Sequence, residues 1–239
     1  MSEEKQEKVD AQKLAQFIDH TILKPDATKD DVRVRKVCKE ALRYNFKTVC
    51  VNSHMVAFAA ELLKASSTEH CPIPIAVVGF PLGAGLSSAK AFEAKKALED
   101  GAKEIDMVIN VGRLRERDYK YVLEDIQAVV NASRPCPVKV ILETCLLTEE
   151  EKIIACALSK AAGAAFVKTS TGFSKGGATI SDIKLMNRVA KGMGIKASGG
   201  IRSRGDAISM IEAGATRIGA SKSVQIVTGV AGKASEGTY

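Results

Sequence analysis

The sequence has no tryptophan, only three histidines, and six cysteines that never form a C-x-x-C pair. Each shortage removes a class of function. Cys38, Cys50, Cys71, Cys136, Cys145 and Cys156 are scattered, which excludes a zinc ribbon or a thioredoxin-type dithiol. His20, His54 and His70 form neither H-x-x-x-H nor H-E-x-x-H, so no metal and no other cofactor is expected. Aromatic residues make up 5% of the chain, too few for a base-stacking platform. The net charge is +7 and the pI near 9.1, yet bases are interleaved with acids, as in KDDVRVRKVCKE. That distribution argues against a nucleic-acid partner and suits an anionic small molecule and a solvated surface. No run of 18 apolar residues exists, so no membrane contact is expected. The opening MSEEKQEKVD lacks an apolar core segment for export, and unpaired thiols suit a reducing, cytoplasmic setting.

What the chain has in quantity is short β-branched runs alternating with helical segments. The runs are FIDHTIL (17–23), KTVCVN (47–52), PIAVVGF (74–80), EIDMVIN (104–110), VKVILET (138–144), AFVKTST (165–171), GIKASGG (194–200) and TRIGAS (216–221). Their starts lie about 22 to 34 residues apart, the size of one β-α unit. Val138, Val140 and Leu142 alternate with Ile141, so this run is apolar on both faces, as in parallel strands covered by helices. Thr148-Glu149-Glu150-Glu151 and Thr28-Lys29-Asp30-Asp31 read as helix starts, and Gly101, Gly163 and Gly214 as helix ends. The first turn, KPDATKD, lacks the G-x-G-x-x-G of a doubly wound sheet. Eight units in 239 residues predict an α/β fold, a single (β/α)8 TIM barrel over 1–239 with a short N-terminal helix. Residues 1–10 and 232–239 are expected to be flexible tails.

Barrels of this kind hold their active sites at the C-terminal ends of the strands, often with a phosphate site after strands 7 and 8. Three loops there are rich in small residues: Thr169-Ser170-Thr171-Gly172 after strand 6, Ser198-Gly199-Gly200-Ile201-Arg202 after strand 7, and Gly219-Ala220-Ser221 after strand 8. Glycine amides and a free helix start suit an anion, so a phosphate-bearing ligand is expected.

Charges within apolar strands mark the chemistry. Lys168 and Lys196 fall on neighbouring predicted strands, with Asp106, Lys139 and Asp19 on others. One buried lysine alone reads as a structural ion pair, but several converging charges cost free energy unless paired or chemically used. At pH 7 only about 0.04% of an ordinary lysine is the nucleophilic neutral amine. Desolvation and a second cation both favour that form. Such an amine attacks an aldehyde and becomes an iminium, an electron sink for breaking the adjacent C–C bond, while a carboxylate moves protons. The residues therefore describe a Schiff-base sugar-phosphate aldolase. A metal-dependent aldolase, another Schiff-base barrel and a non-catalytic phosphosugar-binding barrel are the alternatives.

KTSTGF, IKASGGIR, EIDMVINVG and KVILETCLL together resemble the deoxyribose-phosphate aldolases, and the similarity runs from FIDHTILKPDAT to Tyr239. The resemblance implies reversible cleavage of 2-deoxy-D-ribose 5-phosphate to D-glyceraldehyde 3-phosphate and acetaldehyde, a step of deoxyribose phosphate catabolism. It implies Lys168 as the Schiff-base nucleophile, Lys196 as the cation that depresses its pKa and as a proton donor or acceptor, and Asp106 as the other proton-transfer group. Asp19 and Lys139 would complete the charge network, and a C-terminal Tyr239 could reach the site. Thr171, Gly172, Ser198, Gly199, Gly200, Ile201, Arg202, Gly219 and Ser221 would bind the phosphorylated substrate. A homodimer is also implied. The chain departs from the family in having Ser53-His54, where proline often follows the VCVN strand, and Cys50 is read either as packing beside the aldehyde pocket or as serving the core alone.

Overall fold

The computed structural model describes residues 11–28, 32–64 and 71–230. Residues 11–15 form the short N-terminal helix. The eight expected strands are all present: β1 (Ile18–Ile22), β2 (Thr48–Asn52), β3 (Ile73–Val78), β4 (Glu104–Val108), β5 (Val138–Ile141), β6 (Phe166–Lys168), β7 (Gly194–Ser198) and β8 (Arg217–Ala220). Every neighbouring pair is parallel, and β1 closes on β8. The fold is a (β/α)8 barrel.

Alternate residues of each strand point outward and bury under amphipathic helices. The helix Val32–Tyr44 buries Val34, Val37, Cys38 and Ala41, an i, i+3, i+4, i+7 stripe. Thr148 and Glu151 satisfy each other's backbone amides in a capping box at the start of the helix Glu149–Ala161. Gly101, Gly163 and Gly214 follow helix ends at positive φ. Lys29–Asp31, the tails 1–10 and 232–239, and Tyr239 lie outside the described residues. Ser53 begins a short 3-10 turn leading into the helix Val56–Lys64, and its hydroxyl donates to Glu93 at 2.7 Å. The loop after β2 is thus tied down without proline.

The main hydrophobic core lies between the barrel and its helices. Inside the barrel the apolar cluster is small: Leu23, Cys50, Ile75 and Val77, with Phe80 packed against it. Charged side chains fill much of the remaining interior, where bulky branched residues usually dominate.

Candidate active site

Strand register brings the charges together. Asp106 on β4 pairs with Lys139 on β5, and Lys168 on β6 with Lys196 on β7. Their side chains meet inside the barrel, all at most 3% exposed. Asp106 is the hub. Its Oδ1 accepts from Lys139 Nζ at 2.9 Å, and its Oδ2 accepts from Lys168 Nζ at 2.9 Å and Lys196 Nζ at 2.7 Å. Lys196 also contacts Asp19 at 2.5 Å. Asp19 in turn accepts from Arg217 at 2.7 Å and from the Thr48 hydroxyl at 2.7 Å. Arg217 reaches Glu104 through both guanidinium nitrogens, at 3.1 and 3.3 Å, and Glu104 is ion-paired to Lys139. Arg217, Asp19, Lys196, Asp106, Lys139 and Glu104 thus form a closed ring of alternating sign, and Lys168 hangs from it at Asp106. The Phe166 ring lies 5.5 Å from Lys139 Nζ and 5.4 Å from the Arg217 guanidinium. It fits there because Gly194 faces it: a β-carbon on Gly194 would come within 2.1 Å of the ring.

This geometry separates the two lysines. Burial pulls the Lys168 amine below the usual lysine range, and the Lys196 charge adds to that pull against the opposing effect of Asp106. Burial acts on Lys196 too, but Asp106 and Asp19 outweigh it and hold that ammonium above the usual range. Lys168 is therefore the amine that reaches the neutral form first, and Lys196 stays a cation beside it. Desolvation is the larger cause at Lys168 and the second cation the smaller. Burial would raise Asp106, yet Lys139, Lys168 and Lys196 together hold it well below the carboxylate range. Cys50 lies wholly buried in the interior apolar cluster, close enough to feel Lys196, Asp106 and Lys168, and burial pushes its thiol up to about 11.

The small-residue loops stand at the same end of the barrel. Gly172, Gly199 and Gly200 have φ of +86°, +87° and +79°, where a side chain would be strained. The Ala178 amide donates to the Gly199 carbonyl at 3.0 Å, so the loops after β6 and β7 touch through backbone. Ser221 and Arg202 are exposed, whereas the Ile201 side chain packs into the core and leaves only its backbone available. The Ser198 hydroxyl donates inward to the Ser170 carbonyl at 2.6 Å. Gly219 sits in β8 with a different neighbour: a β-carbon there would lie 2.9 Å from Lys196 Cε.

Three buried charges in the barrel interior and at its mouth, Glu104, Arg217 and Glu143, escape the sequence reading. Glu104 and Arg217 open their strands, next to polar residues, yet each lies two residues before a position already marked and so shares its face. Glu143 ends the β5 run in the left-handed region, φ +55°, which few residues other than glycine occupy. It is 4% exposed, is hydrogen-bonded by the Thr171 hydroxyl, and has its carboxyl raised by burial. It lines a cleft at the barrel mouth with Pro81, Leu82, Val108, Thr171 and Phe173. Nothing in the sequence signals that conformation. Among the described residues, no group of three His, Cys, Asp or Glu side chains could hold a metal ion.

Comparison with known proteins agrees with this architecture. The family model for DeoC/LacD family aldolase matches residues 13–234. A deoxyribose-phosphate aldolase of Clostridium perfringens is 58% identical over 233 residues, covering 97% of this chain and 100% of the relative. One from Finegoldia magna is 57% identical over 217 residues, covering 90% of this chain and 99% of the relative. The structure of a tetrameric deoxyribose phosphate aldolase from Aeropyrum pernix superposes with a TM-score of 0.83 at 33% identity, covering 93% and 94% of the two chains. With one family model spanning nearly all of it and relatives of this identity along its whole length, the chain belongs to the DeoC/LacD family of aldolases.

Proposed function

We propose that this aldolase cleaves 2-deoxy-D-ribose 5-phosphate reversibly to D-glyceraldehyde 3-phosphate and acetaldehyde, with Lys168 as the Schiff-base residue. The observation that carries the reading is the shared Asp106 Oδ2: two lysines meet there, and burial lowers Lys168 while two carboxylates hold Lys196 protonated.

The neutral Lys168 Nζ adds to the aldehyde carbon C1, and the carbinolamine loses water to give an iminium. The C3 hydroxyl then gives up its proton as the C2–C3 bond breaks. D-Glyceraldehyde 3-phosphate leaves, and the electron pair of the broken bond rests in an enamine. Protonation at C2 and hydrolysis return acetaldehyde and the free amine. Asp106 and the Lys196 ammonium lie within hydrogen-bond reach of the Lys168 nitrogen or its neighbour oxygen and suit the proton transfers. Asp19 and Lys139 orient those two groups. Thr171, Gly172, Ser198, Gly199, Gly200, Ile201, Arg202, Gly219 and Ser221 are the proposed substrate-binding set, with the backbones of Gly172, Gly199 and Gly200 and the exposed Ser221 facing the phosphate, and Tyr239 is a further candidate.

Among the described residues, no helix is long and apolar enough to cross a membrane. The proposed setting is the cytoplasm and the proposed assembly a homodimer, which sedimentation at several protein concentrations would test.

Acetaldehyde with borohydride should add a reduced two-carbon adduct to the peptide carrying Lys168. A Lys168→Leu variant should keep its circular dichroism spectrum and lose both adduct and turnover. An adduct on a different lysine refutes the assignment.

A further inference from the structure

Two members of the charged ring touch neither reacting amine. Arg217 contacts Asp19 and Glu104, and Glu104 contacts Arg217 and Lys139. We propose that Arg217 and Glu104 are positioning residues for the Schiff-base step: they close a charge-balanced ring that leaves Lys168 the one interior amine without a carboxylate of its own. The proposal rests on the Schiff-base reading above.

The count is three against three. Lys139, Lys196 and Arg217 face Asp19, Glu104 and Asp106, and within the ring each of the six contacts two members of opposite sign. Both oxygens of Asp106 are engaged by the ring, Oδ1 by Lys139 and Oδ2 by Lys196. Lys168 reaches Oδ2 as a second guest, at 2.9 Å. Its ammonium would be a fourth cation against three carboxylates, in a space where it is 3% exposed. An uncompensated charge is disfavoured in such a place, so the ring's neutrality itself selects the free amine.

Two other groups act on Lys168 from outside the ring, and neither is ion-paired to any of its members. Cys50 is a buried thiol held in its neutral form. Glu143 is engaged by the Thr171 hydroxyl and amide, and among the described residues it forms no ion pair with Lys168. Lys139 and Lys196 are already in the ring.

Neutrality has a consequence that mere scaffolding lacks. Removing Arg217 leaves the ring one negative charge in excess and gives a Lys168 ammonium a partner. Removing Glu104 leaves one positive charge in excess and disfavours that ammonium further. The two losses act in opposite directions on the same amine.

The test is the pH dependence of acetaldehyde trapping by cyanoborohydride, read as adduct mass on the Lys168 peptide of the full chain. The proteins are the wild type, E104Q, R217M and the double variant E104Q/R217M. E104Q should move the acid limb down by about one pH unit and R217M should move it up by about one, on the order of a tenfold rate change on the limb. The double variant, balanced at two against two, should return close to the wild type. Limbs that coincide, or that move in the same direction in both single variants, overturn the proposal. Should a single variant fail to fold, the charge-conserving R217K and E104D must keep the wild-type limb, and a shifted limb in either overturns it as well. Absence of a Lys168 adduct in the wild type would instead overturn the Schiff-base reading, and the proposal with it.

Discussion

A Lys196→Met variant removes one charge from beside Lys168, the proposed nucleophile, while keeping most of the alkyl volume. Lys168 Nζ and Lys196 Nζ lie 2.9 and 2.7 Å from the same Asp106 oxygen, so they are at most 2.9 + 2.7 = 5.6 Å apart. At an effective dielectric constant of about 20, two unit charges at that distance repel by about 3 kcal/mol, from 332/(20 × 5.6). Losing that repulsion raises the Lys168 amine by about two pK units. The neutral amine is the reactive form, so trapping is lost as pH falls through the amine's pKa. The variant's acid limb should therefore sit about two units higher, and on that limb its trapping rate should fall by about a hundredfold. At high pH trapping should recover, because burial, the larger cause of the lowered amine, is untouched. Trapping and kcat/KM measured over the same pH range check both statements. If cleavage stays slow at high pH while trapping recovers, Lys196 also transfers a proton. A limb that coincides with the wild type would refute the electrostatic account of Lys196.

Two further outcomes follow from the same interior. In Gly219→Ala the new methyl would lie 2.9 Å from Lys196 Cε and 3.0 Å from Ser198 Cβ. Overpacking of that kind costs about 2 kcal/mol, or about 5 °C in Tm, and the displaced lysine should lower kcat/KM by about tenfold. Wild-type kinetics in that variant would show that the contact does not position Lys196. At Asp19, burial alone would raise the carboxyl, but Lys196, Arg217 and Lys139 outweigh it and hold it at about 2, against an ordinary 3.8. Its contribution, about 2 kcal/mol, is present above pH 4 and lost as pH falls toward 2, so urea midpoints should drop across that window. An Asp19→Asn variant that keeps the full drop would refute the attribution.

The strands were legible because runs such as VKVILE are apolar on both faces, as parallel strands covered by helices are, and because there are eight of them. Lys168, Lys196, Asp106, Lys139 and Asp19 were legible for the opposite reason, as charges in runs that should hold none. Glu104 and Arg217 sit where an apolar run begins, and a charge there reads as the end of a loop. Period-two counting back from Asp106 and Gly219 would have found both. The dominance of burial at Lys168 was hidden, since sequence shows that a second lysine is near but not how dry the space is. The conformation of Glu143 was hidden as well, because no residue type announces a left-handed turn there. Gly219 reads as part of an anion cradle, and only the packed interior reveals it as clearance for Lys196.

The ring is also divided along the chain. Its three carboxylates, Asp19, Glu104 and Asp106, all come from β1 and β4, in the first half of the barrel. Lys139, Lys196 and Arg217, and Lys168 beside them, come from β5 to β8. Each half alone would carry an inner wall of one sign and could not be dried without its complement. The contact of Asp19 with Arg217, 198 residues away, forms only as the first strand meets the last. Barrel closure and completion of the charge ring thus coincide, and a half-closed chain lacks the neutral interior on which the proposed role of Lys168 depends.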